Sequence, residues 1–117
     1  MGYIAQLRFT DLDEAIAFYV EQLGCVLEFR HEDFYAGLKL GGQMLHFKLV
    51  DEPEPNVDRV RHGQHIHLTI ETADVPRKHS ELKKAGVQVS PLRSQPWGTE
   101  FDLTDPGGHT LYFMQAE

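Results

Sequence analysis

The chain has 117 residues, 41% hydrophobic and 25% charged, and 18 acidic against 11 basic side chains give a formal net charge of −7. That length allows one domain or two small halves sharing a core, and the acidity argues against a nucleic-acid backbone as partner, which wants a basic face. The single cysteine, Cys25, excludes an internal disulfide framework and a cysteine-rich zinc site.

Tyr3, Ala5, Leu7 and Phe9 alternate with Ile4, Gln6 and Arg8, which predicts a strand with one face on a core. The acidic stretch Thr10 to Glu14 then offers helix caps. Leu12, Ala15, Ile16, Tyr19, Val20 and Leu23 follow at helical spacing, and Gly24 closes the helix. Cys25, between Gly24 and Val26, reads as a small buried hydrophobe. Strands are expected over 25–31, 34–40 and 43–50, with Gly41-Gly42 turning between the last two. Residues 51–63 are acidic and proline-rich and read as a surface linker.

The pattern then repeats. His65 to Ile70 alternates like the first strand. Thr72-Ala73-Asp74 and Pro76 open a helix with Leu82 and Ala85 on its inner side, and Gly86 ends it. Strands are expected near 87–92, 98–104 and 109–115, with Pro106-Gly107-Gly108 as the turn before the last. This is a β-α-β-β-β unit twice over within one domain: repeat 1 about 1–50, linker 51–63, repeat 2 about 64–117. In each repeat the apolar phase packs on the helix and the opposite phase is free to line something else. That phase holds Ile4, Gln6, Arg8, Met44 and His46 in the first repeat. In the second it holds His65, His67, Thr69, Glu100, Asp102, Thr110 and Tyr112.

Three segments carry a family resemblance over essentially the whole chain: Asp11 to Tyr19 (DLDEAIAFY), Leu23-Gly24, and Asp105-Pro106-Gly107-Gly108-His109. They resemble the vicinal oxygen chelate superfamily of glyoxalases, bleomycin-resistance proteins and extradiol dioxygenases. Glu32-Asp33-Phe34-Tyr35-Ala36-Gly37 and Gln95-Pro96-Trp97-Gly98-Thr99-Glu100-Phe101 are similar to the bleomycin-resistance branch, an antibiotic-resistance lineage. The resemblance implies an α+β fold of two βαβββ repeats with curved mixed sheets, paired into a homodimer with clefts at the interface. It implies a protein that sequesters a planar, drug-like small molecule without transforming it. The acidic balance suits a cationic ligand, though solubility alone would also account for it.

By that resemblance two aromatics sandwich the ligand. One is Trp97; the other is Tyr35 or Phe34, and strand phase favours Tyr35 for the cleft and Phe34 for the core. His46, His65, His67, Glu100 and Tyr112 are the further ligand-binding candidates. Glu100, Asp102, Glu32 and Asp33 could attract a cation, though each taken singly reads as a solvated strand-end charge. The alternative implied is a metal-dependent glyoxalase-type lyase, isomerase or thiol transferase. Its four ligand positions fall on Ile4, His46, His65 and Tyr112. A catalytic metal wants three protein ligands, so His46 and His65 alone fall short unless His67 or Glu100 contributes, and no metal or other cofactor is assigned. His31, His62 and His79 read as surface residues, and His109 as a turn residue. No nucleophile elbow or phosphate-cradling loop occurs, and no catalytic residue is assigned. No apolar stretch reaches membrane-spanning length and no signal-peptide pattern is present, so a cytoplasmic protein without nucleic-acid or membrane partners is expected.

Overall fold

The computed structural model describes residues 1–51 and 67–116. The chain divides into two compact units, Met1–Gln64 and His65–Glu117. The first contains β1 (Ala5–Phe9), α1 (Leu12–Leu23), β2 (Val26–His31), β3 (Tyr35–Leu40) and β4 (Gln43–Leu49). The second contains β5 (His67–Glu71), α2 (Val75–Lys84), β6 (Arg93–Gln95), β7 (Gly98–Thr104) and β8 (Thr110–Ala116). Each is a βαβββ unit, and each builds one mixed four-stranded sheet in which its first strand lies parallel to its last. The sheet orders are β1-β4-β3-β2 and β5-β8-β7-β6.

Local chemistry fixes the helices. The Asp11 carboxylate accepts the backbone N–H of Glu14 at 3.0 Å, and Asp74 does the same for Arg77 at 3.1 Å. Gly24 ends α1 in the left-handed conformation, φ 72°, which an L side chain resists. Inside the first unit Leu7, Phe9, Tyr19, Leu38 and Phe47 are buried, with the Phe9 and Tyr19 rings 4.6 and 4.7 Å from Phe47. Cys25 is buried there too. In the second unit Val75 and Leu82 from α2 are buried with Phe101, Leu103, Leu111 and Phe113, and the Phe101 and Phe113 rings stack at 4.9 Å. Each such side chain contributes about 1.5–3 kcal/mol on burial.

Several expectations are corrected. The sheets are not the curved ones the resemblance implied. Curvature comes from bulges and kinks repeated across strands; the ladders here run in continuous register apart from one irregularity between Leu27 and Phe29. The strand expected near 87–92 is displaced to Arg93–Gln95. Pro91 has no N–H for a ladder, and the Ser90 hydroxyl takes the backbone N–H of Asp102 at 2.9 Å where a strand would offer a carbonyl. Ala85 is exposed at the end of α2 rather than turned inward. The linker, beyond Asp51, lies outside the described residues.

Candidate ligand-binding site

In each unit the sheet face away from the helix carries the polar side chains. Cross-strand register places Arg93, Glu100, Met114 and Glu71 in one row of the second unit, and Asp102, Tyr112 and Thr69 in the next. Trp97 occupies the two-residue turn between β6 and β7, between Pro96 and Gly98, and is 58% exposed. With Thr69, Glu100, Tyr112 and Met114 it lines a cavity of about 300 Å³. That volume is at the lower end for small-ligand sites. Two larger cavities in the same unit, about 400 and 440 Å³, have no aromatic side chain in their walls among the described residues.

The tryptophan ring is held by a charge network. Its indole N–H donates to Glu100 Oε1 at 2.9 Å. Glu100 is only 7% exposed, and its other oxygen accepts Arg93 Nη2 at 2.9 Å. The same nitrogen lies 2.9 Å from Asp102 Oδ2. The hydrogen bond to Glu100 and, after it, the pairing with Asp102 raise the Arg93 pKa above the ordinary arginine value against its partial desolvation. Two carboxylates on one guanidinium leave the cluster one negative charge. An aromatic wall already fixed before binding loses little conformational entropy when a flat ligand stacks on it. A neighbouring net negative charge favours a cationic one.

The corresponding face of the first unit is built differently. Gly37 sits mid-strand in β3, and a β-carbon there would come within 2.0 Å of Phe29 Cε2. The glycine therefore lets the Phe29 ring lie down on the sheet. Tyr35 Oη is 2.8 Å from His46 Nδ1 and accepts the Gln6 amide N–H at 3.2 Å. The Phe29 and Tyr35 rings each lie 5.3 Å from the His46 ring.

The structure thus joins Tyr35 to His46 in one unit, and Trp97 to Glu100 and Tyr112 in the other. His67 is exposed and stacks on Tyr112 at 5.9 Å. His65 and His62 lie outside the described residues. Phe34 is not a core residue: it is 54% exposed. Glu32 takes φ 48° and the Phe34 N–H donates to the His31 carbonyl, so a turn breaks the alternation before β3 begins. Glu100 is no solvated strand-end charge, since its burial and two partners say otherwise. His31 is exposed as expected, but His79 is half-buried, 2.9 Å from the Ser90 carbonyl oxygen and edge-on to Phe101. His109 is more than a turn residue: it is 2% exposed, with Nδ1 2.9 Å from both oxygens of Asp105. Phe29, Arg93 and Met114 were not anticipated. Continued alternation from Tyr112 points to Met114, and an interior strand glycine at Gly37 signals a close neighbour.

The model of the Glyoxalase/Bleomycin resistance protein/Dioxygenase superfamily matches residues 1–113. The chain belongs to that superfamily. Among solved structures, this superfamily member is similar to a bleomycin resistance determinant encoded on the transposon Tn5, at 25% identity and a TM-score of 0.78 over 100% of this chain and 98% of that one. It is similar to a bleomycin-binding protein complexed with bleomycin, at 25% identity and a TM-score of 0.77 over 100% and 99%. A glyoxalase/bleomycin resistance protein/dioxygenase from Alicyclobacillus acidocaldarius matches at 26% identity and a TM-score of 0.78 over 99% and 91%. No curated protein sequence matches the chain.

In the metal-dependent reading that the resemblance implies, Ile4, His46, His65 and Tyr112 would hold the ion, and the three of them among the described residues do not make a full ligand set. No three of His, Cys, Asp or Glu among them are grouped to hold a metal ion. Ile4 offers no donor atom, and the register sets Gln6 opposite His46 and Thr69 opposite Tyr112.

Proposed function

We propose that the chain is a binding protein of the bleomycin-resistance type, which sequesters a planar, drug-like cation and leaves it chemically unchanged. The observation that carries this reading is Trp97: an exposed ring on a tight turn, pinned through its indole N–H to a buried carboxylate beside an open cavity. A large apolar side chain left exposed and yet fixed has a use for its free face. The net negative charge of the Arg93, Glu100 and Asp102 cluster supports a cation over a neutral ring. Two similar structures are named for bleomycin resistance or bleomycin binding, which supports the same ligand class. The cleft is completed by a second copy of the chain, a pairing supported by the exposed apolar residues Ile4, Val26 and Leu27. Cytoplasmic residence belongs to the same reading; no helix among the described residues is long and apolar enough to cross a membrane.

Calorimetric titration with metal-free bleomycin, and with a flat aromatic cation lacking the rest of that drug, tests the reading. Saturable binding is expected, with at least a tenfold loss in Trp97→Ala, as for a central aromatic contact. Equal affinity in the variant and the parent would sink the stacking model. Sedimentation at ligand-saturating concentration tests the pairing; a monomer that still binds overturns it.

A further inference from the structure

The first unit carries a feature that a cation site does not explain. Arg8 and Lys48 are cross-strand partners on the face away from α1, and Tyr35 is the next partner in that row. Gln6, His46 and Gly37 form the adjacent row, about 7 Å along the strands. Lys39 and Met44 form the row beyond it. Arg8, Lys39 and Lys48 are exposed, and none has an ion pair among the described residues. In a chain of net charge −7, three cations without an ion pair among the described residues, set around one half-buried histidine, are a local reversal of sign.

The hydrogen bonds in the middle of this patch have a direction. Gln6 Nε2 donates to Tyr35 Oη, so that oxygen serves as acceptor there. With that lone pair taken, the tyrosine proton can be given to His46 Nδ1, 2.8 Å away. A neutral imidazole that accepts at Nδ1 carries its proton on Nε2. In that tautomer the chain of donors Gln6, Tyr35, His46 ends on an N–H, not on a lone pair. A fixed N–H ringed by cationic side chains matches an acceptor carrying negative charge.

We infer that the Gln6–Tyr35–His46 chain, with Arg8 and Lys48, is a binding site for a small oxyanion, a carboxylate or a phosphate. His46 Nε2–H supplies the directed hydrogen bond, and Arg8 and Lys48 supply the charge. Phe29 and Tyr35 give the patch an aromatic floor, which would add to the hold on a carboxylate attached to a ring. The inference does not depend on the reading of the Trp97 cavity.

Imidazole nitrogen–proton correlation spectra of the full ¹⁵N-labelled chain in mildly alkaline buffer test it, with inorganic phosphate and sodium benzoate as separate titrants. His46 is expected with a protonated Nε2 and a proton-accepting Nδ1, and its Nε2–H signal shifts saturably with at least one titrant. Tighter benzoate binding assigns the site to ring carboxylates, and tighter phosphate binding to phosphoryl groups. Arg8→Gln and Lys48→Gln each weaken binding about two- to fivefold, the range for single exposed charge contacts. Tyr35→Phe removes the Nδ1 partner and brings a mixture of tautomers. Trp97→Ala leaves oxyanion affinity unchanged, which separates this test from that of the cation cavity. A protonated Nδ1 in the parent chain overturns the inference. So does unchanged affinity in the Arg8→Gln/Lys48→Gln double variant, or no response of His46 to either anion.

Discussion

The two sheets share one strand order and carry opposite chemistry. Where the first unit sets Gln6, His46 and Gly37 side by side, the second sets Thr69, Tyr112 and Asp102. Where the first has Arg8, Lys48 and Tyr35, the second has Glu71, Met114 and Glu100. Arg8 is replaced by Glu71 and Tyr35 by Glu100, while Lys48 gives way to Met114. The helix-facing sides change far less in character: both are layers of Phe and Leu under an aspartate-capped helix. Packing against a helix constrains one face of each sheet, and the opposite face is free to diverge. The repeat therefore sets positions, and the unpacked face sets what each position does.

The units also differ in how they turn into their last strand. The first uses Gly41-Gly42, with Gly41 at φ 59°. The second uses a buried knot in which Asp105 Oδ1 accepts the N–H of Gly107 at 2.8 Å and of His109 at 2.9 Å, with the His109 ring against both carboxylate oxygens. Breaking that knot is expected to have the largest effect. Asp105→Ala leaves a buried imidazole and two backbone donors without this acceptor, so chemical denaturation should show a loss of about 3 kcal/mol or more. A loss below 1 kcal/mol would mean the turn holds its shape without the carboxylate.

Gly37→Ala comes next, and it tests the first unit alone. The added methyl meets the Phe29 ring, which must leave its place on the sheet. Overpacking of this kind costs about 1–3 kcal/mol. The ring-current shifts that Phe29 imposes on His46 protons should collapse in the same variant. An unshifted His46 spectrum would show that Phe29 does not shape that face.

Much of this architecture could be read from residue order. Asp11, Gly24 and Asp74 mark helix ends because capping is local, and a strand's two-residue period separates core from free face without knowledge of its neighbours. Trp97 stood out because a proline–glycine turn is a poor place to bury a ring. What escaped the sequence involves several strands at once. Arg93 reaches carboxylates on the neighbouring strand at Glu100 and Asp102, so no spacing announces it. Phe29 was hidden by the irregularity between Leu27 and Phe29, which breaks the alternation that strand phase relies on. The burial of His109 depends on how the turn folds over Asp105, and turn composition alone does not report that.

Glu100→Ala probes the second unit in the same spirit as Gly37→Ala probes the first. It removes the partner of the indole N–H and one of two carboxylates on Arg93. The expected stability loss is about 1.5–3 kcal/mol, as for hydrogen bonds to a charged group. The sharper readout is spectroscopic, because Trp97 is the only tryptophan. Its fluorescence anisotropy should fall and its quenching by acrylamide should rise, with partial recovery in Glu100→Gln, whose amide oxygen can still accept the indole N–H. Unchanged anisotropy in the alanine variant would show that the turn, not the carboxylate, fixes the ring.

The smallest expected effects are the most informative about why the faces could diverge. Asp11→Ala and Asp74→Ala each remove one cap bond on the helix side of a sheet. Each should cost about 1 kcal/mol, and Asp74→Ala somewhat less, because Pro76 already holds the first turn of α2 in helical geometry. Neither should move the Trp97 anisotropy or the His46 tautomer. If Asp74→Ala did loosen Trp97, the two faces of that sheet would be coupled through Phe101 and Phe113, and the helix side would constrain the binding side after all. Silence at both sites would mean that the core carries the fold while the free face stays open to change, which is what two repeats with one plan and opposite charge require.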